Sequence, residues 1–235
     1  MNSAINYSTE RLQREYEERR PVREALELLA SKYRVREARI VELGSGLGFN
    51  LEIFRGDNRV LGIEGLESAA AAASQRGVPT IVANIDREIP LPAASADLVL
   101  CLDVLEHLVH PASCLAEVGR ILKPHGRLVV NVPNQFTLSG RLNILLGSGI
   151  DSTRFFPEHP DWSNPHLRFF RRSSIGALLE RCGFRIIDDW CWRFPALPLL
   201  HRSRRICRSR LAIGLAKRLP ELFAGGFFLI AELRR

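Results

Sequence analysis

Short, continuous apolar runs alternate along this chain with stretches whose apolar residues recur every three to four positions. Ile40-Val41-Glu42-Leu43, Arg59-Val60-Leu61-Gly62-Ile63-Glu64, Thr80-Ile81-Val82-Ala83-Asn84, Asp97–Leu102 and Arg127–Val132 are the runs. They read as strands covered on both faces, as in a parallel sheet. Helical spacing fills the intervals. Pro21 opens a helix with Ala25, Leu26, Leu29 and Tyr33 on one face. Leu51, Ile53 and Phe54 continue another that ends near Gly56-Asp57-Asn58, and an alanine-rich one from Glu67 to Arg76 closes at Gly77. Pro111 starts a helix with Leu115, Val118 and Leu122 inward, stopped by Lys123-Pro124-His125-Gly126. Ser173 or Ser174 caps one that carries Ile175, Leu178 and Leu179 and ends at Gly183. Phe184–Trp192 and Phe227–Leu233 add a sixth strand and a last, antiparallel one. This alternation predicts an α/β fold with a doubly wound, mostly parallel sheet.

The first strand runs into Gly44-Ser45-Gly46-Leu47-Gly48-Phe49-Asn50. Glycines are wanted after such a strand because the turn needs φ values closed to other residues and because a ligand approaches the backbone closely. The dinucleotide fingerprint G-x-G-x-x-G/A asks for a small residue where this chain has Phe49, and the third glycine comes one position early, at Gly48. Glu64 ends the second strand at about the 20-residue spacing expected of an acid that binds a ribose diol. A carboxylate suits that task because it accepts from both hydroxyls. A solvated strand-end glutamate is the plainer alternative.

With Glu42 in front, the loop reads E-x-G-x-G-x-G, which resembles motif I of class I S-adenosylmethionine-dependent methyltransferases. Ile89-Pro90-Leu91-Pro92 with Ser95-Ala96-Asp97-Leu98-Val99 resembles that family's LPF and S-F-D-x-V region, Ala96 replacing the usual aromatic. Asp103-Val104-Leu105-Glu106-His107 and Leu122-Lys123-Pro124-His125-Gly126-Arg127-Leu128-Val129-Val130 strengthen the likeness. Asn131-Val132-Pro133-Asn134 and His166-Leu167-Arg168-Phe169-Phe170 are similar to the bacterial MetW-like and methyltransferase-11 or -23 branch. The resemblance implies a seven-stranded Rossmann-like sheet and S-adenosylmethionine as cofactor. It further implies cofactor contacts at Glu42, Gly44, Ser45, Gly46, Gly48, Glu64, Gly65, Asn84, Ile85 and Leu102. Where the family has an acid beside the adenine, this chain offers Asn84 or Asp86, and the pattern leaves that choice open. His107 is the candidate catalytic residue, as a proton acceptor or acceptor contact, because an imidazole titrates near neutrality. Packing beneath the fourth strand's loop is its other reading.

Composition narrows the setting. The 235 residues are 46% hydrophobic and 25% charged, the balance of a globular domain. We expect a single methyltransferase domain over 1–235, with a helical lead-in at 1–34, an acceptor-side insertion at 135–170 and a basic amphipathic segment at 195–220. Five cysteines without a C-x-x-C pair indicate neither a disulfide framework nor a zinc site, and no metal-ligand spacing is visible. A cytoplasmic location fits, with no apolar stretch of membrane-spanning length. The net charge of +7 gathers late, where Arg202, Arg204, Arg205, Arg208, Arg210, Lys217 and Arg218 alternate with leucines and isoleucines. That segment reads as a solvated face, a peripheral anchor at the inner membrane face, or an acidic-substrate or nucleic-acid patch. No aromatic–basic RNA motif accompanies it, so nucleic acid is not expected.

The expected reaction is methyl transfer to a small-molecule, sugar or glycolipid-type acceptor. The insertion from Asn134 to Arg168, with Phe155, Phe156, His159 and Trp162, is where acceptor choice is expected, because a long loop after a central strand covers the ligand end of the sheet. Two alternatives stand beside this reading: an NAD-dependent oxidoreductase on a related sheet, against which Phe49 argues, and a non-catalytic partner retaining the fold.

Overall fold

The computed structural model describes residues 16–17, 20–147, 166–197 and 209–234. Helix α1 spans Arg20–Lys32 and buries Ala25, Leu26 and Leu29, the face its spacing marks out. Each leucine so buried contributes roughly 1.5–3 kcal/mol. Strand β1 is Arg39–Leu43, buried from Ile40 onward. Beyond the glycine loop comes a four-residue 3-10 turn, Leu51–Phe54, where the spacing predicts a helix. Arg55 leaves it extended at ψ 157, and the Asn58 amide donates to the Phe54 carbonyl at 2.9 Å, which draws the chain directly into the next strand. Strand β2 is Arg59–Glu64, α2 is Glu67–Gln75, and β3 is Thr80–Val82, two residues shorter than expected. It stops because Asn84 opens a turn, with its Oδ1 accepting from the Asp86 N–H at 3.0 Å.

Strand β4, Ala96–Leu102, begins one residue early, and α3 is Pro111–Ile121. Strand β5 spans Leu122–Pro133 and absorbs Lys123-Pro124-His125-Gly126, the residues expected to lie between helix and strand. His125 takes φ 71 there, a local kink that lets turn-forming residues sit inside a strand. Asp97 Oδ2 accepts from the Arg39 N–H at 2.8 Å and the Lys123 ammonium at 2.7 Å, pinning the starts of β1, β4 and β5. Burial alone would raise the Asp97 carboxyl, but Lys123 and Arg39 together hold it below its ordinary range.

Helix α4, Leu138–Leu145, lies within the expected insertion, and α5 is Arg172–Arg181. Arg171, not Ser173 or Ser174, is the residue before the first turn of α5. The Ser174 hydroxyl instead reaches back to accept from the Arg171 N–H at 2.9 Å. Strand β6 is Phe184–Asp189, ending before Trp190 because Cys191–Arg193 turn into a 3-10 segment. Helices α6, Arg210–Arg218, and α7, Pro220–Phe223, precede β7, Gly226–Leu233.

The strands form one seven-stranded sheet in the order β3-β2-β1-β4-β5-β7-β6. β1 pairs with β2 and β2 with β3 in parallel, while β6 and β7 are antiparallel with a register shift between Ile186 and Asp188. The order runs outward from β1 in one direction and from β4 in the other, the reversal at which open α/β sheets bind ligands. The chain divides into two compact units, Met1–Leu100 with Arg120–Arg127, and Cys101–Gly119 with Leu128–Arg235.

In the second unit, Asn134 is a buried clamp. Its Nδ2 donates to the carbonyls of Ala224 at 2.7 Å and Glu221 at 3.1 Å, its N–H to Gly225, and its Oδ1 accepts from Phe136. Asn134→Ala is expected to cost about 1–3 kcal/mol of stability, since it leaves buried carbonyls unpaired. The shift in the denaturant midpoint measures this.

Candidate functional site

The glycine loop is held by the ends of its neighbouring strands. Gly44 and Ser45 N–H both donate to the Ile63 carbonyl, at 2.8 and 3.2 Å, and Gly48 N–H returns to Ser45 O. Gly44, Gly46 and Gly48 take φ values of 63°, 53° and 79°. Those are left-handed conformations that cost an L side chain roughly 1–2 kcal/mol. Gly62, inside β2, answers a different demand. A Cβ there would lie 2.4 Å from the Ser45 hydroxyl oxygen and 2.7 Å from that of Thr80, so the loop sits directly on the strand's backbone. The expectation from sequence passed over this residue, although a glycine inside a strand signals such close approach.

Around the loop the polar groups divide their work. The Glu42 side chain is buried, and its Oε1 accepts from the Asn50 amide at 2.7 Å. Glu64 Oε2 accepts from the Gly46 N–H at 2.7 Å and Oε1 from the Leu66 N–H at 3.0 Å. A carboxylate has about four acceptor positions, so one on each oxygen remains. The Ser45 hydroxyl is buried without a hydrogen-bond partner. Gly65 is exposed just past β2, and the Ala83 N–H donates to the Glu64 carbonyl at 3.0 Å, bringing the Asn84-Ile85 turn to the same strand end. Glu42, Gly44, Ser45, Gly46, Gly48, Glu64, Gly65, Asn84 and Ile85 thus all fall in the first unit, gathered at the ends of β1, β2 and β3. Leu102, buried at the end of β4, and His107 belong to the second unit.

Phe49 stands where a dinucleotide loop keeps a small residue. It is buried, meets the Tyr16 ring edge-on at 5.5 Å between centroids, and carries the Arg76 guanidinium 4.3 Å above its ring. Arg23 of α1 donates to the Phe49 carbonyl. The N-terminal helix therefore buttresses the glycine loop by side chains that reach around Phe49.

These features suit the group that the loop's sequence implies. Three left-handed glycines that leave the loop backbone bare at 44, 46 and 48, and a carboxylate with spare acceptor positions beside them, match an S-adenosyl ligand's backbone-facing edge and ribose diol.

The second unit holds the other titratable group of interest. After β4, Asp103 takes φ 55, and a turn through Val104–His107 brings Glu106 inward. Leu167 and Arg168 N–H both donate to the Glu106 carbonyl, at 2.8 and 3.0 Å, so the His166 segment is fastened beside this turn by main chain. The His107 and His166 rings lie 4.8 Å apart, tilted by 59°. Glu106 is 1% exposed and neither carboxylate oxygen has a hydrogen-bond partner. Burial pushes its carboxyl up to about 8, with the Asp103 charge adding to the effect. The sequence marks His166 only as the start of the His166–Phe170 motif and gives it no site role, and nothing in its spacing from Glu106 links the two.

Phe155, Phe156, His159 and Trp162, expected to choose the acceptor, lie outside the described residues, as do Arg202, Arg204, Arg205 and Arg208. Of the insertion, α4 is described: Leu142 and Ile144, with Leu145 and Leu146 at its end, are exposed. Of the basic segment, α6 packs through Ala212 and Ala216 and leaves Leu211 exposed.

A sequence profile described as a methyltransferase domain matches residues 12–189. A probable S-adenosylmethionine-dependent methyltransferase of Mycolicibacterium smegmatis is 29% identical over 152 residues, 63% of this chain and 52% of that protein. The chain thus spans about half the length of that relative. A ubiquinone biosynthesis O-methyltransferase of Xylella fastidiosa is 25% identical, with 80% of this chain and 76% of the relative covered. Among solved structures, an S-adenosylmethionine-dependent methyltransferase of Thermotoga maritima superposes with a TM-score of 0.59 at 23% identity, covering 96% of this chain and 98% of the other.

Proposed function

The chain belongs to the class I S-adenosylmethionine-dependent methyltransferase family, and on that premise we propose that it transfers a methyl group to a small-molecule acceptor of the sugar or lipid type. The observation that carries the reading is Glu64: its carboxylate accepts from the Gly46 N–H and keeps acceptor positions for a ribose diol at the glycine loop. S-adenosylmethionine, when bound, supplies a methyl group already activated by its sulfonium. The chain's own task is therefore to hold, align and exclude water. Glu64 takes the diol, and the Gly44–Gly48 backbone, Ser45 included, lies against the methionine and ribose portion. Glu42, kept in place by Asn50, sets the position of the amino group, and Ile85 with Asn84 borders the adenine. Leu102 is assigned to the same cofactor. His107 is the residue that handles the acceptor.

Two observations favour a small apolar or lipid-like acceptor. The relative from Xylella is named for ubiquinone biosynthesis, and the α4 segment presents exposed Leu142, Ile144, Leu145 and Leu146, a run that suits an apolar partner. Incubation with methyl-labelled S-adenosylmethionine and fractionated cell extract tests the reading. A labelled sugar or lipid supports it, and label found in protein or nucleic acid alone refutes the acceptor class.

The same proposal extends to peripheral contact with an anionic membrane. No helix among the described residues is long and apolar enough to cross one. Helix α6, however, sets Arg210, Lys217 and Arg218 beside the 71% exposed Leu211. Each basic residue at such a surface contributes about 1 kcal/mol. Vesicles of acidic lipid are expected to sediment the protein at low salt, less so for Arg210→Gln with Arg218→Gln. Retention indifferent to salt and to both substitutions counts against an electrostatic attachment.

A further inference from the structure

We propose that Glu106, His107 and His166 together bind one divalent first-row transition cation. Each of the three offers a ligand atom, and those atoms all lie within 4.8 Å of one another. Bonds of about 2.1 Å in a tetrahedral site place ligand atoms about 3.4 Å apart, so modest rotation of the half-buried His107 closes the set.

Three further features separate this cluster from a chance meeting of polar groups. Glu106 is buried with both carboxyl oxygens lacking a hydrogen-bond partner, so both are uncommitted and the ionised form has yet to meet the counter-charge that a cation would supply. Arg168, the cation next to the cluster in the chain, does not supply it: its guanidinium donates to the Val109 carbonyl at 2.7 Å. Secondly, the cluster is assembled by backbone. The paired bonds from Leu167 and Arg168 N–H to Glu106 O, and His107 N–H to Val104 O at 2.9 Å, fix the three residues without using their side chains. Thirdly, the Gln135 side-chain amide lies 3.4 Å from His166 Nδ1. With its carbonyl oxygen turned to that position, it accepts the Nδ1 proton and leaves Nε2 as a ligand, the usual support for a metal-bound imidazole. Asp103, whose Oδ1 accepts from Asn131 Nδ2 at 2.7 Å, adds negative charge nearby.

The donor set names the class of ion. Two imidazoles and a carboxylate suit Zn²⁺ and its first-row neighbours, whereas Mg²⁺ and Ca²⁺ take oxygen-rich sites. Three protein ligands leave a coordination position open, the pattern of a site that receives water or substrate. A cation there would polarise an acceptor hydroxyl as a Lewis acid. That use rests on the methyl transfer proposed above, but binding of the ion does not, so the two can fail separately.

The test uses the full chain, stripped with chelator and dialysed, then titrated with Zn²⁺ against a chromophoric competitor, with Co²⁺ absorption as a second probe. The expected result is one equivalent bound, with affinity lowered about 100-fold or more in Glu106→Gln and His166→Ala. His107→Ala, at the half-buried position, keeps the comparison valid should either buried variant fail to fold, and it is expected to lose affinity likewise. Less than one equivalent bound by the wild-type chain overturns the proposal. So does undiminished affinity in the folded variants, which puts the ion on other residues, the cysteines included.

Discussion

Gly46→Val protein is expected to give no measurable heat when titrated with S-adenosylhomocysteine, while the wild-type chain binds it. Gly46 has φ 53, which a β-branched residue adopts only under strain, and its N–H must stay on the Glu64 carboxylate. A valine side chain would also occupy the space in which the loop backbone meets a ligand. Glu64→Ala is expected to weaken binding about 10- to 100-fold, the equivalent of losing about 1–3 kcal/mol of paired polar contact. Because Glu64 also fastens the Gly46 and Leu66 N–H groups, Glu64→Gln is the sharper variant. It retains one acceptor oxygen but not the charge, and should fall between wild type and alanine. Unchanged affinity in both Gly46→Val and Glu64→Ala would remove the cofactor from this loop.

His107→Ala is expected to slow methyl transfer to an identified acceptor by about 10²- to 10⁴-fold, the range for a positioned acid–base group when the imidazole takes the acceptor's proton itself. As a ligand of the cation proposed above it acts through the ion instead, and the rate of the metal-free chain separates the two. Cofactor affinity should stay near wild type, since His107 sits beside His166 and Glu106 rather than on the glycine loop. Measuring kcat together with calorimetric affinity distinguishes the roles. A rate that falls only in step with cofactor affinity would make His107 a packing residue. Full turnover would exclude it from the chemistry altogether.

The glycine loop was legible in the sequence because its requirements are local. A turn that needs three left-handed residues in five positions admits few side chains, so Gly44, Gly46 and Gly48 announce it. Glu64 was legible for a related reason: the length of a strand–helix–strand unit fixes where the next carboxylate can fall. Phe49 was visible as the residue that breaks the dinucleotide pattern. Its burial against Tyr16 and beneath Arg76 was not, because those partners stand 33 and 27 positions away along the chain.

Local signals also misplaced some features. Lys123-Pro124-His125-Gly126 reads as a stop between helix and strand, yet pairing within the sheet carries all four inside β5, with the kink at His125 absorbing the misfit. Leu51–Phe54 has helical spacing, but an extended Arg55 and the Asn58 amide on Phe54 O end it after one turn. Asn134 opens the segment in which acceptor choice is expected, and what the spacing does not show is that its side chain ties that segment to the chain before β7.

By itself the sequence determined the succession of the seven strands, the glycine loop after β1 and the acid at the end of β2, because each depends on residues close together along the chain. Tertiary structure alone decided that Glu106, His107 and His166 share one place. Glu106 and His107 are neighbours in the chain, but His166 reaches them through two main-chain hydrogen bonds to the Glu106 carbonyl. Backbone amides and carbonyls are the same in every residue, so no side-chain spacing records that pairing. The buried carboxyl group without a hydrogen-bond partner is likewise a property of the packed chain, in which solvent is excluded and both donors that reach Glu106 go to its main-chain carbonyl.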